Sequence, residues 1–244
     1  MIRMPQPLST WIGRKVNSTT RSEPLSRCVL CLAHSHYGGL CRDCLEDLPH
    51  NRVACERCAL PLPLPRLDRL CRACRTRTPS QDFCLAPWRY EFPVDRMIQR
   101  YKYRGWRAPG RALALNWAEQ QRHPPRPQPE ALLPAPIALE RLRERGFSQS
   151  AEITAWLSRA TGIAMNTSVL ARHPGYRPQA GLSRGERRRN LQGAFYIRDA
   201  NGLPDHVAVV DDVITTGATA EAMAACLRAA GVRRVDLWAL ARTP

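Results

Sequence analysis

The chain has 244 residues, 44% hydrophobic and 24% charged, which allows one or two globular domains and excludes wholesale disorder. No apolar run approaches the ~18–20 residues a membrane helix needs, so no membrane partner is expected. Lys and Arg number 37 against 21 Asp and Glu, a net charge of +16. That balance favours phosphate-bearing partners. The alternative is a basic bias of the whole proteome, because Lys15 and Lys102 are the only lysines and every other basic residue is Arg.

In chain order, residues 1–27 read as a disordered basic leader with Glu23 as its only acid. Residues 28–76 form a cysteine-rich unit. The spacing is Cys28-x2-Cys31-x9-Cys41-x2-Cys44, then Cys55-x2-Cys58-x12-Cys71-x2-Cys74. Each Cys-x-x-Cys turn places two thiolates on one ion, and two turns complete the closed four-thiolate geometry of structural zinc. Eight cysteines therefore predict two zinc sites, a double zinc ribbon. The pairing is sequential, which closes short loops, or cross-braced. No secretory hydrophobic segment precedes the cysteines, so the protein reads as cytoplasmic and reduced. Cys84 and Cys226 are left over, Cys226 as a small core residue.

Residues 85–244 make the second unit, with 85–121 as a hood and the Pro-rich 122–130 as a linker. Trp88–Phe92 suggests a strand. Asp95–Tyr103 suggests a helix with Val94, Ile98 and Tyr101 on one face, and Ala108–Gln121 a second. Leu132–Ile137 reads as a strand, and Ser148 caps a helix that Gly162 stops. Val169–Arg172 and Ala194–Arg198 are short strands around a polar loop, 174–190. His206–Val210 is a strand apolar on both faces, Ala218–Ala230 a helix and Val235–Ala241 the last strand. Alternating strands and helices around a doubly buried strand predict an α/β fold with a parallel sheet flanked by helices.

The most specific stretch is Val207–Thr219, VAVVDDVITTGAT. A buried strand ends in two acids and then enters a Thr/Gly loop that opens a helix. Ligands of open α/β sheets bind at the carboxyl ends of strands, and a helix N-terminus beside Gly is an anion site. Thr215, Thr216, Gly217, Ala218 and Thr219 therefore suit a phosphate, while Asp211 and Asp212 suit sugar hydroxyls or a hydrated Mg²⁺. Together they describe a ribose 5-phosphate cradle. Arg141, Arg143 and Arg145 surround Gly146, giving positive charge and a permissive backbone near a diphosphate. The loop 174–190 carries Arg177, Arg184, Arg187, Arg188 and Arg189. It reads as a lid over an anionic site, with Arg187 as a candidate catalytic residue, or as a nucleic-acid contact. Lys102, one of two lysines, is a candidate phosphate contact.

The string from 207 to 219 resembles the diphosphate-sugar motif of type I phosphoribosyltransferases. That resemblance implies that Asp211 and Asp212 contact the ribose hydroxyls of phosphoribosyl pyrophosphate, with residues 215–219 on its 5′-phosphate. Pro134-Ala-Pro136, Arg141 and Arg145-Gly-Phe-Ser-Gln149 resemble the pyrophosphate-loop segment of ComF-type proteins. Tyr101-Lys-Tyr-Arg-Gly105, the run from Gln179 to Phe195 and the double zinc ribbon are similar to ComF elements too. The resemblance covers about residues 28–243. Ser148 departs from it, standing where that family carries Asn, and both residues cap helices.

What the resemblance implies is a Mg²⁺-dependent phosphoribosyltransferase with an oxocarbenium-like transition state, an unspecified acceptor and a link to DNA uptake. The competing reading is a single-stranded DNA-binding competence accessory protein whose pocket is a sensor or a relic, with Trp88, Tyr101 and Trp106 stacking bases. A third is a regulator that uses the pocket as a ligand switch.

Overall fold

A computed structural model describes residues 26–35, 38–65, 67–121, 126–174, 191 and 193–244. The leader up to residue 25, part of the Pro-rich linker and loop residues 175–190, including Arg187, lie outside the described residues.

The centre is a sheet whose strand pairs are all parallel. Strands β1 (Phe83–Leu85), β2 (Trp88–Arg89), β3 (Ala131–Pro134) and β4 (Ala164–Met165) surround two nine-residue strands. These are β7 (His206–Ile214) and β8 (Arg234–Arg242). The order is β1-β8-β7-β3-β4, with β2 also on β8. An antiparallel pair, β5 (Leu170–Arg172) and β6 (Phe195–Ile197), stands apart from the sheet.

The alternation along β7 shows why Val207–Val210 is apolar at every position. Ala208 and Val210 pack on one face with Leu132, Trp238 and Leu240. That face is covered by helices α3 (Val94–Arg104), α4 (Arg107–Gln120) and α6 (Gln149–Thr161). Val207 and Val209 point the other way, onto α7 (Ala218–Ala229) through Met223, Ala224 and Leu227. Successive strand residues face opposite sides, so a sheet covered on both needs apolar residues at every position. Helices α3 and α4 approach closely because Gly110 has no side chain: a Cβ there would sit 2.7 Å from the Tyr101 ring.

The parallel α/β architecture agrees with the expectation, and several details correct it. Strand β7 does not stop before the acids but carries Asp211 and Asp212 within it. Its neighbour β8 is equally long and pairs Asp211 with Ala239 and Ile214 with Arg242. The arginines before Gly146, read as part of a pyrophosphate-loop segment, lie on a short helix, α5 (Leu139–Arg145), which Gly146 ends at φ 74°. Trp88 and Tyr101 are fully buried core residues and present no face to a base; of the three aromatics proposed for stacking, Trp106 is exposed. Segment 85–121 contributes an edge strand and two core helices.

The two halves of the cysteine region are built alike, each ending in a one-turn helix, α1 (Arg42–Glu46) or α2 (Arg72–Thr76). Cys41 and Cys71 cap these helices, their sulfurs accepting from the N–H groups of Cys44 and Cys74. The bond from Cys28 N to Ala33 O is matched by Cys55 N to Leu60 O, and that from Val29 N to Gly39 O by Glu56 N to Arg69 O.

Candidate functional site

A cleft of about 500 Å³ opens at the carboxyl ends of β3 and β7. Asp211 and Asp212 lie at its floor, followed by Thr215 and Thr219 of the loop that enters α7. Gly217 occupies the N-cap of α7 at φ 76°, a left-handed conformation that favours glycine. The turn leaves Thr215, Thr216 and Thr219 exposed at the helix N-terminus, where free N–H groups and the helix dipole favour an anion.

The facing wall comes from other elements. Arg141 and Arg145 reach the cleft from α5, Lys102 and Tyr103 from α3, and Arg172 from β5. The bend at Gly146 turns α5 into α6, whose first turn is capped by Ser148 Oγ accepting from Ala151 N at 3.3 Å. Arg145 is held by a 2.8 Å bond to Gln149 Oε1.

Lys102 Nζ lies 2.9 Å from Asp212 Oδ1, with both side chains mostly buried. Asp211 is in a different state. Burial, and then repulsion from Asp212, push its carboxyl up to about 7, against the Asp212 N–H, Lys102 and Arg141, which favour the anion. The Asp212 N–H donates to Asp211 Oδ1 at 2.8 Å. The floor thus holds one carboxylate matched by a lysine and one poised near neutrality. Its donors are all oxygens, the set that suits magnesium. Because Lys102 already neutralises one acid, the pair does not make an all-protein cage for such an ion.

The cysteines gather sequentially: Cys28, Cys31, Cys41 and Cys44 in one cluster, Cys55, Cys58, Cys71 and Cys74 in the other, with the sulfurs of each within 4.8 Å of one another. Cys31 and Cys41 Sγ are 3.6 Å apart, Cys58 and Cys71 3.7 Å. Four sulfurs tetrahedrally placed about 2.3 Å from one zinc ion would be about 3.8 Å apart, so both clusters fit the ion. Crowding opposes full ionisation without a cation: hydrogen bonding to Cys55 holds the Cys58 thiol up at about 12.

No family model matches the chain. Among curated proteins, it is 33% identical to competence protein F of Haemophilus influenzae over 88% of this chain and 96% of that protein. It is 30% identical to the DNA utilization protein YhgH of Salmonella typhi, and 29% to that of Escherichia coli K12, with the same shares covered. The chain belongs to the ComF family.

In this ComF protein, Lys102, Arg141, Arg145, Asp211, Asp212, Thr215 and Thr219 come together around one cleft. Gly146, Thr216, Gly217 and Ala218 belong to the turns that shape it. Arg172 and Gln149 also line the cleft, roles that their sequence positions did not reveal. Gln149 is 2% exposed and its Nε2 has no partner among the described residues. It closes the Arg145–Gln149 segment, whose resemblance to a pyrophosphate loop points to the cleft without singling out this side chain. Among the described residues no helix is long and apolar enough to cross a membrane.

Proposed function

We propose that the cleft binds phosphoribosyl pyrophosphate, or a related sugar phosphate, with Mg²⁺, and that the protein is of phosphoribosyltransferase type and acts in DNA uptake. The observation that carries the ligand reading is the joining of an acid pair, a Thr/Gly helix N-terminus and a cationic wall around one cleft at the strand ends. The names of the relatives, a competence protein and DNA utilization proteins, support the link to DNA uptake. Two structural zinc ions hold the cysteine clusters, in a reducing cytoplasm that keeps thiolates available.

In this reading Asp211 and Asp212 accept hydrogen bonds from the ribose hydroxyls, and Lys102 orients Asp212. The N–H and hydroxyl groups of residues 215–219 hold the 5′-phosphate. Arg141 and Arg145 grip the diphosphate and stabilise it as the anomeric C–O bond breaks. Magnesium supplies further charge neutralisation on the diphosphate.

Ligand-dependent thermal stabilisation tests the proposal. A ligand that binds only the native state stabilises it by RT ln(1 + L/Kd), L being the free ligand concentration, so the melting temperature rises with that concentration. Phosphoribosyl pyrophosphate with Mg²⁺ should raise it clearly, and ribose should leave it unchanged. No shift at millimolar ligand would refute the reading. A second reading, a single-stranded DNA-binding accessory protein with the pocket as sensor, draws support from the same relatives and from the outer face of α3.

A further inference from the structure

Helix α3 presents two chemically distinct faces. Its inner face buries Val94, Met97, Ile98 and Tyr101. Its outer face exposes Arg96, Arg100 and Arg104 at successive four-residue steps, about 6 Å apart along the axis. With Gln99 and Tyr103 they line a groove of about 300 Å³. Among the described residues, the large aromatic side chains that stand exposed are Phe92 at 77%, Tyr103 at 71% and Trp106 at 52%. All three lie on this helix or within two residues of its ends. The Arg100 guanidinium stacks 5.6 Å from the Trp106 ring centre and Arg145 5.2 Å from that of Tyr103. Asp95 pairs with Arg96 at 3.7 Å; among the described residues Arg100 and Arg104 have no acidic partner.

We infer that this face docks single-stranded nucleic acid, on a path that leads into the cleft. A row of fixed cations suits a phosphate backbone. Exposed aromatic faces suit unpaired bases, each stack contributing about 1–3 kcal/mol, whereas a duplex hides its base faces. An acidic peptide would use the arginines but leave the aromatic faces without matching rings. Tyr103 lines both the groove and the cleft, and Arg145, which covers its ring, is itself a cleft residue. A strand laid along α3 therefore brings its end to the cleft mouth, so that strand and cleft ligand occupy one continuous surface. The inference deepens the nucleic-acid reading above by naming its surface.

The test is fluorescence anisotropy of a labelled oligothymidylate of about 15 nucleotides across a salt series, with the full chain. Arg96→Ala/Arg100→Ala/Arg104→Ala should flatten the log–log salt slope by about 2, at roughly 0.7 per lost phosphate contact. Trp106→Ala should weaken binding roughly 5–150-fold. Both variants should keep their zinc content and melting temperature, since the altered side chains are exposed. Photocrosslinking of a strand carrying 5-iodouracil should modify Tyr103 or Trp106. The inference is overturned by no binding of wild type at low salt, by a triple variant with wild-type affinity and slope, or by crosslinks confined to other surfaces. It is also overturned if polyglutamate binds this face and the oligonucleotide does not, or if binding is lost only in Arg187→Ala/Arg188→Ala/Arg189→Ala. No sugar phosphate is present in these assays, so their failure leaves the phosphoribosyl reading standing, and failure of that reading leaves them unaffected.

Discussion

The two cysteine clusters share a local design but are fastened to the rest of the molecule differently. Cys28, Leu40 and Leu48 of the first belong to the same buried core as Trp88, Trp117 and Ile98, and Gly38 O accepts a bond from the Asn116 side chain on α4. In the second, Cys55, Cys71 and Cys74 form a small cluster of their own. That half meets the sheet through Ala59, which is 1% exposed and packs in the other buried core with Cys84 and Ala86, and through polar ties. Arg242 Nε donates to Cys58 O at 3.0 Å and its Nη1 to Ile214 O at 3.3 Å, while Gln81 Nε2 donates to Arg57 O at 2.9 Å. Ile214 is the last residue of β7, immediately before Thr215. The same four-cysteine arrangement thus lies within the helix-covered core in one case, and in the other stands as a separate cluster tied through Arg242 to the end of β7.

The sharpest way to break this comparison is to remove one ligand from each cluster. Cys28→Ser and Cys58→Ser should each lose one of two zinc ions by native mass spectrometry. Cys28→Ser opens the shared core and should cost more than about 4 kcal/mol, within the range for loss of a structural metal. At roughly 2–4 °C per kcal/mol for a chain of this size, that lowers the melting temperature by about 8–16 °C. Cys58→Ser should lower it by less than half as much. Equal losses would show that the two clusters are fastened alike.

A smaller effect separates the acid pair from anything the second cluster transmits. With its carboxyl raised to about 7, Asp211 binds more protons in the folded than in the unfolded state between about pH 4 and 7. Its contribution to stability therefore falls as pH rises through that window. A ligand that needs the carboxylate gains in the same direction. Affinity for phosphoribosyl pyrophosphate should be about tenfold weaker at pH 6 than at pH 8, as the ionised fraction falls from about nine-tenths to one-tenth. Asp211→Asn should remove that part of the pH dependence, and an identical profile in the variant would contradict it.

The smallest effect concerns the Arg242 tie. Arg242→Gln should keep both zinc ions and weaken sugar-phosphate binding about fivefold, the size of one ordinary hydrogen bond near 1 kcal/mol. Unchanged affinity, measured by calorimetry, would show that the second cluster does not support residues 215–219.

Part of this arrangement was legible in the sequence. Four regularly spaced Cys-x-x-Cys turns announced two four-cysteine clusters, and of the sequential and cross-braced pairings the fold shows the sequential one, which closes short loops. The string from Val207 to Thr219 located the strand, the acids and the Thr/Gly turn into the helix. It misplaced the end of the strand, because two adjacent acids read as a terminus while pairing with β8 continues past them. Helix α5 was hidden in Leu-Glu-Arg-Leu-Arg-Glu-Arg, too short and too charged to show an apolar stripe. Lys102 drew notice by its rarity, but its contact with Asp212 joins residues more than a hundred positions apart and leaves no local signal. Tyr101 stood on the apolar helix face with Val94 and Ile98, the face that α3 buries, so its spacing spoke against base stacking; Trp88 left no such periodic signal.

The central claim is that the acid pair and the loop after it hold a phosphoribosyl diphosphate. Titration calorimetry of wild type and Asp212→Asn with phosphoribosyl pyrophosphate and Mg²⁺ tests it most directly. Loss of a charge-assisted contact costs about 1.5–3 kcal/mol, so the variant should bind roughly 10–150-fold more weakly while keeping its fold and its zinc. Equal affinity in the two proteins, or no heat of binding in wild type, would contradict the claim.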